Sequence, residues 1–200
     1  MTDVAVPPAA HAAAPARPEF QIVPLKGLPI VGALFVVLIV AIAANELWPL
    51  EFLHVVFGAA WTIIDLFLGL VIGPILGRMS IPSRVELTKR LMPKMVLIMP
   101  TVVTITLAAG WQLGTLLGTV DSSYANHDWI VASYIVVGIM AVIALGLLEP
   151  ANIAVLFELK KPRPNPAVIE RLMKRFIYTA GVTGVMQIAI LVIMTKVASG

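Results

Sequence analysis

Five stretches of this chain are almost unbroken runs of apolar side chains. They run from about Leu28 to Ala44, Phe52 to Leu76, Met95 to Leu117, Trp129 to Phe157 and Phe176 to Ile193. Each is about 18 residues or longer, enough to cross a hydrocarbon layer of about 30 Å as a helix. A helix satisfies its own backbone hydrogen bonds, which lipid cannot do. The alternation of apolar and polar residues that marks a transmembrane barrel strand is missing. Composition agrees: 60% of the residues are hydrophobic and 12% charged, against about 25% charged in a soluble domain. The expected fold is an all-α membrane protein with five transmembrane helices.

The links between the stretches orient the chain. Arg17 and Lys26 precede the first. The second link carries Arg78, Arg84, Lys89, Arg90 and Lys94, and the fourth carries Lys160, Lys161, Arg163, Arg171, Lys174 and Arg175. The first and third links hold only acids, Glu46 and Glu51, then Asp121 and Asp128. Of the fourteen Lys and Arg residues, all but Lys196 fall on one side of a five-helix chain. Basic links stay in the cytoplasm, so the N-terminus is expected inside and the C-terminus outside. Trp48, Trp111 and Trp129 then share the outer interface, where aromatic belts form.

Residues 1–26 are rich in Ala and Pro and read as a flexible cytoplasmic tail, with no basic n-region leading into an apolar stretch. Residues 27–200 form the transmembrane domain. The two basic links resemble each other (RLMPK from Arg90, RLMKR from Arg171), either through duplication of a two-helix unit or as two answers to one charge rule. With no cysteine in the chain, disulfides, thiolate metal sites and cysteine nucleophiles are excluded.

The second stretch, LHVVFGAAWTIIDLFLGLVIGP, carries most of the candidate chemistry. At 100° per residue, His54, Trp61 and Asp65 lie within roughly 40° of one another, with Gly58 and Gly69 nearby. A carboxyl at membrane depth is costly unless paired or protonated, which makes Asp65 a functional candidate or an internal hydrogen-bonded pin. Glu149 is the second deep acid, either functional or paired with an inner-side base such as Arg78 or Lys94; Pro150 beside it is expected to kink its helix. His54 is either an interfacial hydrogen bonder or a ligand for haem or a metal. The other histidines are His11, in the tail, and His127, in the outer link. Met92, Met95 and Met99 form a stripe that reads as packing before it reads as a Cu(I) site. Pro100 has Thr101, Thr104 and Thr106 near it to satisfy freed backbone groups. Thr183 and Gln187 are candidate interhelical hydrogen bonders.

The run from His54 to Arg78 resembles the helix pattern of the bacterial superfamily that groups the CopD domain, uncharacterised integral membrane proteins and the HemJ-type protoporphyrinogen oxidase. The matching residues are His54, Trp61, Gly69, Pro74 and Arg78, and the likeness continues through RLMPKMVLIMPTVVTITLAAGWQL and RLMKRFIYTAGVTGVMQIAILVIMTK. The resemblance implies a four-helix core bundle with the first helix added, a bacterial inner-membrane location, and His54 as ligand of a b-type haem. Ser133 stands where the HemJ-type enzymes have a second haem-ligating residue, a lysine. That departure counts against protoporphyrinogen oxidase activity and against haem.

The sequence therefore leaves three expectations. The first is a haem- or quinone-linked redox component using His54, with Trp61 and Asp65 beside it. The second is a non-catalytic subunit of a larger membrane complex. The third is a proton-coupled carrier using Asp65 and Glu149. Lipid and other membrane subunits are the expected partners, and nucleic acid is not.

Overall fold

The computed structural model describes residues 21–199. The tail expectation for residues 1–20, with His11 and Arg17, lies outside them. Leu25–Gly27 form a single 3-10 turn that leads straight into helix α1 at Leu28–Ala44. Four more helices follow: α2 at Leu47–Arg78, α3 at Ile81–Leu116, α4 at His127–Lys160 and α5 at Pro166–Ala198. All five are long and apolar enough to cross a membrane, and the described residues contain no strand.

Two helices start well before the apolar runs within them. α3 starts at Ile81 rather than near Met95, and α5 at Pro166 rather than near Phe176. Hydropathy marks only the part of a helix suited to hydrocarbon. Leu, Met, Arg, Lys and Glu are good helix formers, so the basic links continue as helix once each chain has turned. Proline in the first turn starts both: Pro82 in α3 and Pro166 in α5, where its missing N–H costs nothing. The Asn165 side chain also accepts the Ala167 N–H at 3.0 Å and caps α5. Only Met79 and Ser80 separate α2 from α3.

That tight turn is held by Arg84. Its guanidinium donates to the carbonyls of Met79 (2.9 Å) and Gly77 (3.0 Å) and to Glu170 on α5 (2.8 Å). On the other side, α1 ends at Asn45 in the left-handed region (φ 52°), which an asparagine tolerates. In the link after α3, the Ser123 backbone N–H and side chain hold the Asp121 carboxyl below the usual carboxylate range.

The main apolar core draws on α2 to α5, with Trp61, Met92, Met99, Met140, Leu156 and Phe176 among its members. Met92, Met95 and Met99 are all buried in it, so the stripe is packing. A smaller core forms where Leu38 and Ala41 of α1 meet Leu50 and Leu53 of α2 and Ile105 and Ala109 of α3. These are the only buried residues of α1; Val36, Ile39 and Val40 are exposed, as suits a helix facing lipid.

α2 and α4 share a further feature. Each widens into a π-helical segment, Phe67–Ile72 and Ala144–Leu148, followed at once by a Gly-Pro or Glu-Pro pair. A proline removes one N–H from the ladder, and a π turn is one way for the backbone to accommodate it. In α3, Pro100 produces no such segment. Thr101 and Thr106 donate to the carbonyls of Leu97 (2.7 Å) and Val102 (2.8 Å). They do not reach the Val96 carbonyl, four residues back, that Pro100 leaves free.

Candidate functional site

Asp65 is fully buried at the meeting of α2 and α5. Three donors converge on Oδ2: the Trp61 indole N–H (2.9 Å), the Thr183 hydroxyl (2.9 Å) and the Gln187 amide (3.1 Å). Trp61 lies one turn back on the same helix, where i and i+4 side chains meet. Thr183 and Gln187 repeat that spacing on α5, so one face of each helix supplies the cluster. The single Thr183 proton has three acceptors in reach, Asp65 and the carbonyls of Thr179 and Ala180. A carboxylate is the strongest acceptor of the three.

The cluster is lopsided. Asp65 Oδ1 and Gln187 Oε1 are both buried and neither has a hydrogen-bond partner. Buried polar atoms are nearly always paired, and an unpaired one costs about 1–3 kcal/mol. Both are acceptors, and the protein supplies neither with a donor.

His54 is brought to a different neighbour. Its Nδ1 is 2.9 Å from the Thr106 carbonyl of α3 and donates to it, a carbonyl being unable to donate. The ring lies against Gly110, where any Cβ would collide with it. This bond fixes the tautomer and leaves Nε2 as the nitrogen with a lone pair, the arrangement in which imidazoles commonly bind metals. His54 is half-buried and takes no part in the Asp65 cluster.

Gly58 and Gly69 both face neighbouring helices. A Cβ on Gly69 would sit 2.6 Å from Gly181 Cα, and one on Gly58 would be in ordinary contact with Thr106. The close approach at Gly69 is the kind that small residues permit between membrane helices. Ser133, where the resemblance implies a second ligand, is buried and donates to the Ile130 carbonyl of its own helix. His127 opens α4, with Nδ1 buried and unpartnered. Among the described residues, no three of His, Asp or Glu group closely enough to hold a metal ion.

Glu149 packs near Met99, Pro100 and Val103 of α3. No ion pair among the described residues involves it, and the expected pairing with Arg78 or Lys94 does not form; the ion pairs at the basic ends of the helices join Arg84 and Lys174 to Glu170, Arg90 to Glu86 and Lys161 to Glu158. One turn on, Asn152 is fully buried with both amide atoms unpartnered. The sequence reading passed over Asn152 and Gly110. An asparagine one turn from a deep acid was a visible signal, whereas the importance of Gly110 rests on which helix His54 meets.

The chain was compared with family models, curated proteins and solved structures, and matches none of them.

Proposed function

We propose that this chain is a proton-handling component of a bacterial inner membrane, with Asp65 as the group that binds and releases the proton. The N-terminus is cytoplasmic and the C-terminus outside, with α2 to α5 as a four-helix core and α1 as an addition on its flank. The segregation of Lys and Arg supports the orientation. The two apolar cores, one drawn from α2 to α5 and one seating α1, support the arrangement.

The observation that carries the proton reading is the pairing of three donors on Oδ2 with none on Oδ1. The three donors hold the charged form when the proton is off. When the proton is on, it resides on Oδ1, and Gln187 Oε1 in the same cluster is an acceptor without a donor. A carboxyl kept at membrane depth is a functional group by default. Glu149 lies on another helix against α3 and is not part of this cluster, so the carrier reading narrows to Asp65 alone.

The test is proton flux in vesicles. Protein reconstituted with an internal pH dye should speed the decay of an imposed pH difference, and Asp65→Asn should not. Equal decay in wild type, Asp65→Asn and empty vesicles would overturn the reading.

A second reading, a redox component of the CopD/HemJ-like kind, keeps one specific support: the Nδ1 bond of His54, which leaves Nε2 available to a metal centre.

A further inference from the structure

α2 and α5 cross at Gly69 and Gly181, where a Cβ on Gly69 would strike the Gly181 backbone. Toward the basic ends of the two helices they part. At Gly73 a Cβ would still strike the Ile177 side chain at 2.7 Å, but no α5 backbone, and at Gly77 it would meet nothing within 4 Å. The parting leaves a groove of about 730 Å³, closed on its third side by Ile81, Val85 and Thr88 of α3. Its size falls within the range of about 300–1,000 Å³ found for small-molecule sites. Leu70, Tyr178, Val182 and Val185 line it and are exposed, so it opens sideways toward lipid. The same two turns of α5 send Thr183 and Gln187 to Asp65 and Val182 and Val185 to the groove.

The groove is apolar along its length and charged at one end. Arg84, Glu170 and Lys174 line that end. Glu170 is shared by Arg84 at 2.8 Å and Lys174 at 3.0 Å, so two cations face one carboxylate. The Lys174 side chain is 61% exposed, and an ammonium has three donors, of which Glu170 takes one. Tyr178, one turn further in, is a residue suited to the interface. From Lys174 to Met186 the α5 wall runs about 18 Å at 1.5 Å per residue. One leaflet is about 15 Å deep, half of the roughly 30 Å hydrocarbon layer.

We propose that this groove is a specific site for one acyl chain of an anionic phospholipid of the inner leaflet, with its phosphate held at Lys174. The match of apolar length to one leaflet and the net positive rim select this occupant. A quinone carries no charge for the rim to meet. The site is independent of the proton reading.

The experiment compares wild type, Gly77→Trp and Gly138→Trp, each purified in mild detergent, by mass spectrometry of the extracted lipid. Gly77 opens into the groove, and a Cβ on Gly138 of α4 also meets nothing within 4 Å, so the second variant controls for an added indole. Wild type and Gly138→Trp should each retain about one anionic phospholipid per chain, and Gly77→Trp at least fivefold less. Equal retention in all three, or a quinone or a second copy of the chain in place of the lipid, would overturn the proposal. Should Gly77→Trp fail to fold, native mass spectrometry of wild type with added phosphatidylglycerol or phosphatidylcholine decides. A retained adduct of the first but not the second, weakened at least threefold in Lys174→Gln, supports the site; equal adducts of both, or none, overturn it.

Discussion

Trp61 and Asp65 sit one turn apart on α2, and the indole N–H donates to the carboxyl Oδ2 over 2.9 Å. The helix thus carries part of the compensation for its own buried acid, and α5 supplies the rest through Thr183 and Gln187. Because the donors come from two helices, the cluster ties them together, beside the proton role proposed for it.

The two roles separate by substitution. Asp65→Leu leaves the Trp61 and Gln187 donors without an acceptor, while Thr183 keeps the carbonyls of Thr179 and Ala180; it should cost about 1–2 kcal/mol, taking about 1 kcal/mol or somewhat less for each bond in a membrane bundle. Asp65→Asn keeps a carbonyl oxygen for the donors and can present its amide N–H to Gln187 Oε1, so its unfolding midpoint in detergent should stay close to wild type. Proton flux should be lost in both. Flux that survives in a folded Asp65→Asn protein removes the carboxyl from the mechanism.

Gly69 and Gly77 lie on the same side of α2, two turns apart, yet should respond in opposite ways. Gly69→Ala places a methyl 2.6 Å from the Gly181 backbone, which cannot move aside as a side chain can. It should destabilise the protein by about 1–3 kcal/mol, the usual range for overpacking. Gly77→Ala enters open space and should be neutral or slightly stabilising, since alanine is the better helix former. Thermal unfolding of the two proteins in one detergent makes the comparison, and equal losses would mean that the helices do not cross at Gly69.

Arg84 joins the α2–α3 turn to α5 through three acceptors. Arg84→Ala strands the half-buried Met79 carbonyl, while the Gly77 carbonyl meets solvent and Glu170 keeps Lys174, and a loss of about 1–2 kcal/mol is expected. Arg84→Lys has one donor centre where the guanidinium has a fork and should recover less than half of that. Limited proteolysis between Gly77 and Ser83 provides the local readout, with faster cleavage in Arg84→Ala than in wild type.

What could be read from the sequence follows from which forces act along the chain and which act between helices. Helix number followed from apolar length alone, because lipid imposes one rule on every segment. The face holding Trp61 and Asp65 followed from helical period. That Thr183 and Gln187 are the partners of Asp65 did not, since the register between α2 and α5 is set by the Gly69–Gly181 approach, to which periodicity within one helix is blind. For the same reason the sequence leaves open whether Gly58 and Gly69 permit close packing or leave room for a ligand, and it takes the positions of α3 and α5 to show what faces them. The starts of α3 and α5 were missed because a hydropathy window stops at the first cluster of charges while the backbone continues as helix.

The absence of cysteine makes the orientation directly measurable. A single cysteine replacing Ser122, in the link between α3 and α4, should react with a membrane-impermeant maleimide added to whole spheroplasts. A cysteine replacing Ser80, in the α2–α3 turn, should react only after the membrane is opened. The reverse pattern would invert the topology and remove the assignment of the basic ends of α2 and α5 to the inner leaflet.

His54 provides the last comparison, which separates the proton reading from the cofactor reading. Its ring is held between the Thr106 carbonyl and the bare backbone of Gly110, so Gly110→Ala must push it aside without removing it. If Nε2 binds a metal centre, the position of the ring matters as much as its presence, because an oriented ligand owes its affinity to the bond on its other nitrogen. Haem titrated into purified wild type should then give a Soret band that His54→Ala abolishes and Gly110→Ala weakens about tenfold or more in affinity, in line with the effect of disturbing a ligand's outer partner. Ser133→Ala should leave the band unchanged, since that hydroxyl is turned to the Ile130 carbonyl. The proton reading makes the opposite forecast: no saturable band in any of the four proteins, and flux in vesicles that follows Asp65 and not His54. Haem uptake that is equal in wild type and His54→Ala would end the ligand role of His54 and leave Asp65 as the one chemical centre of the bundle.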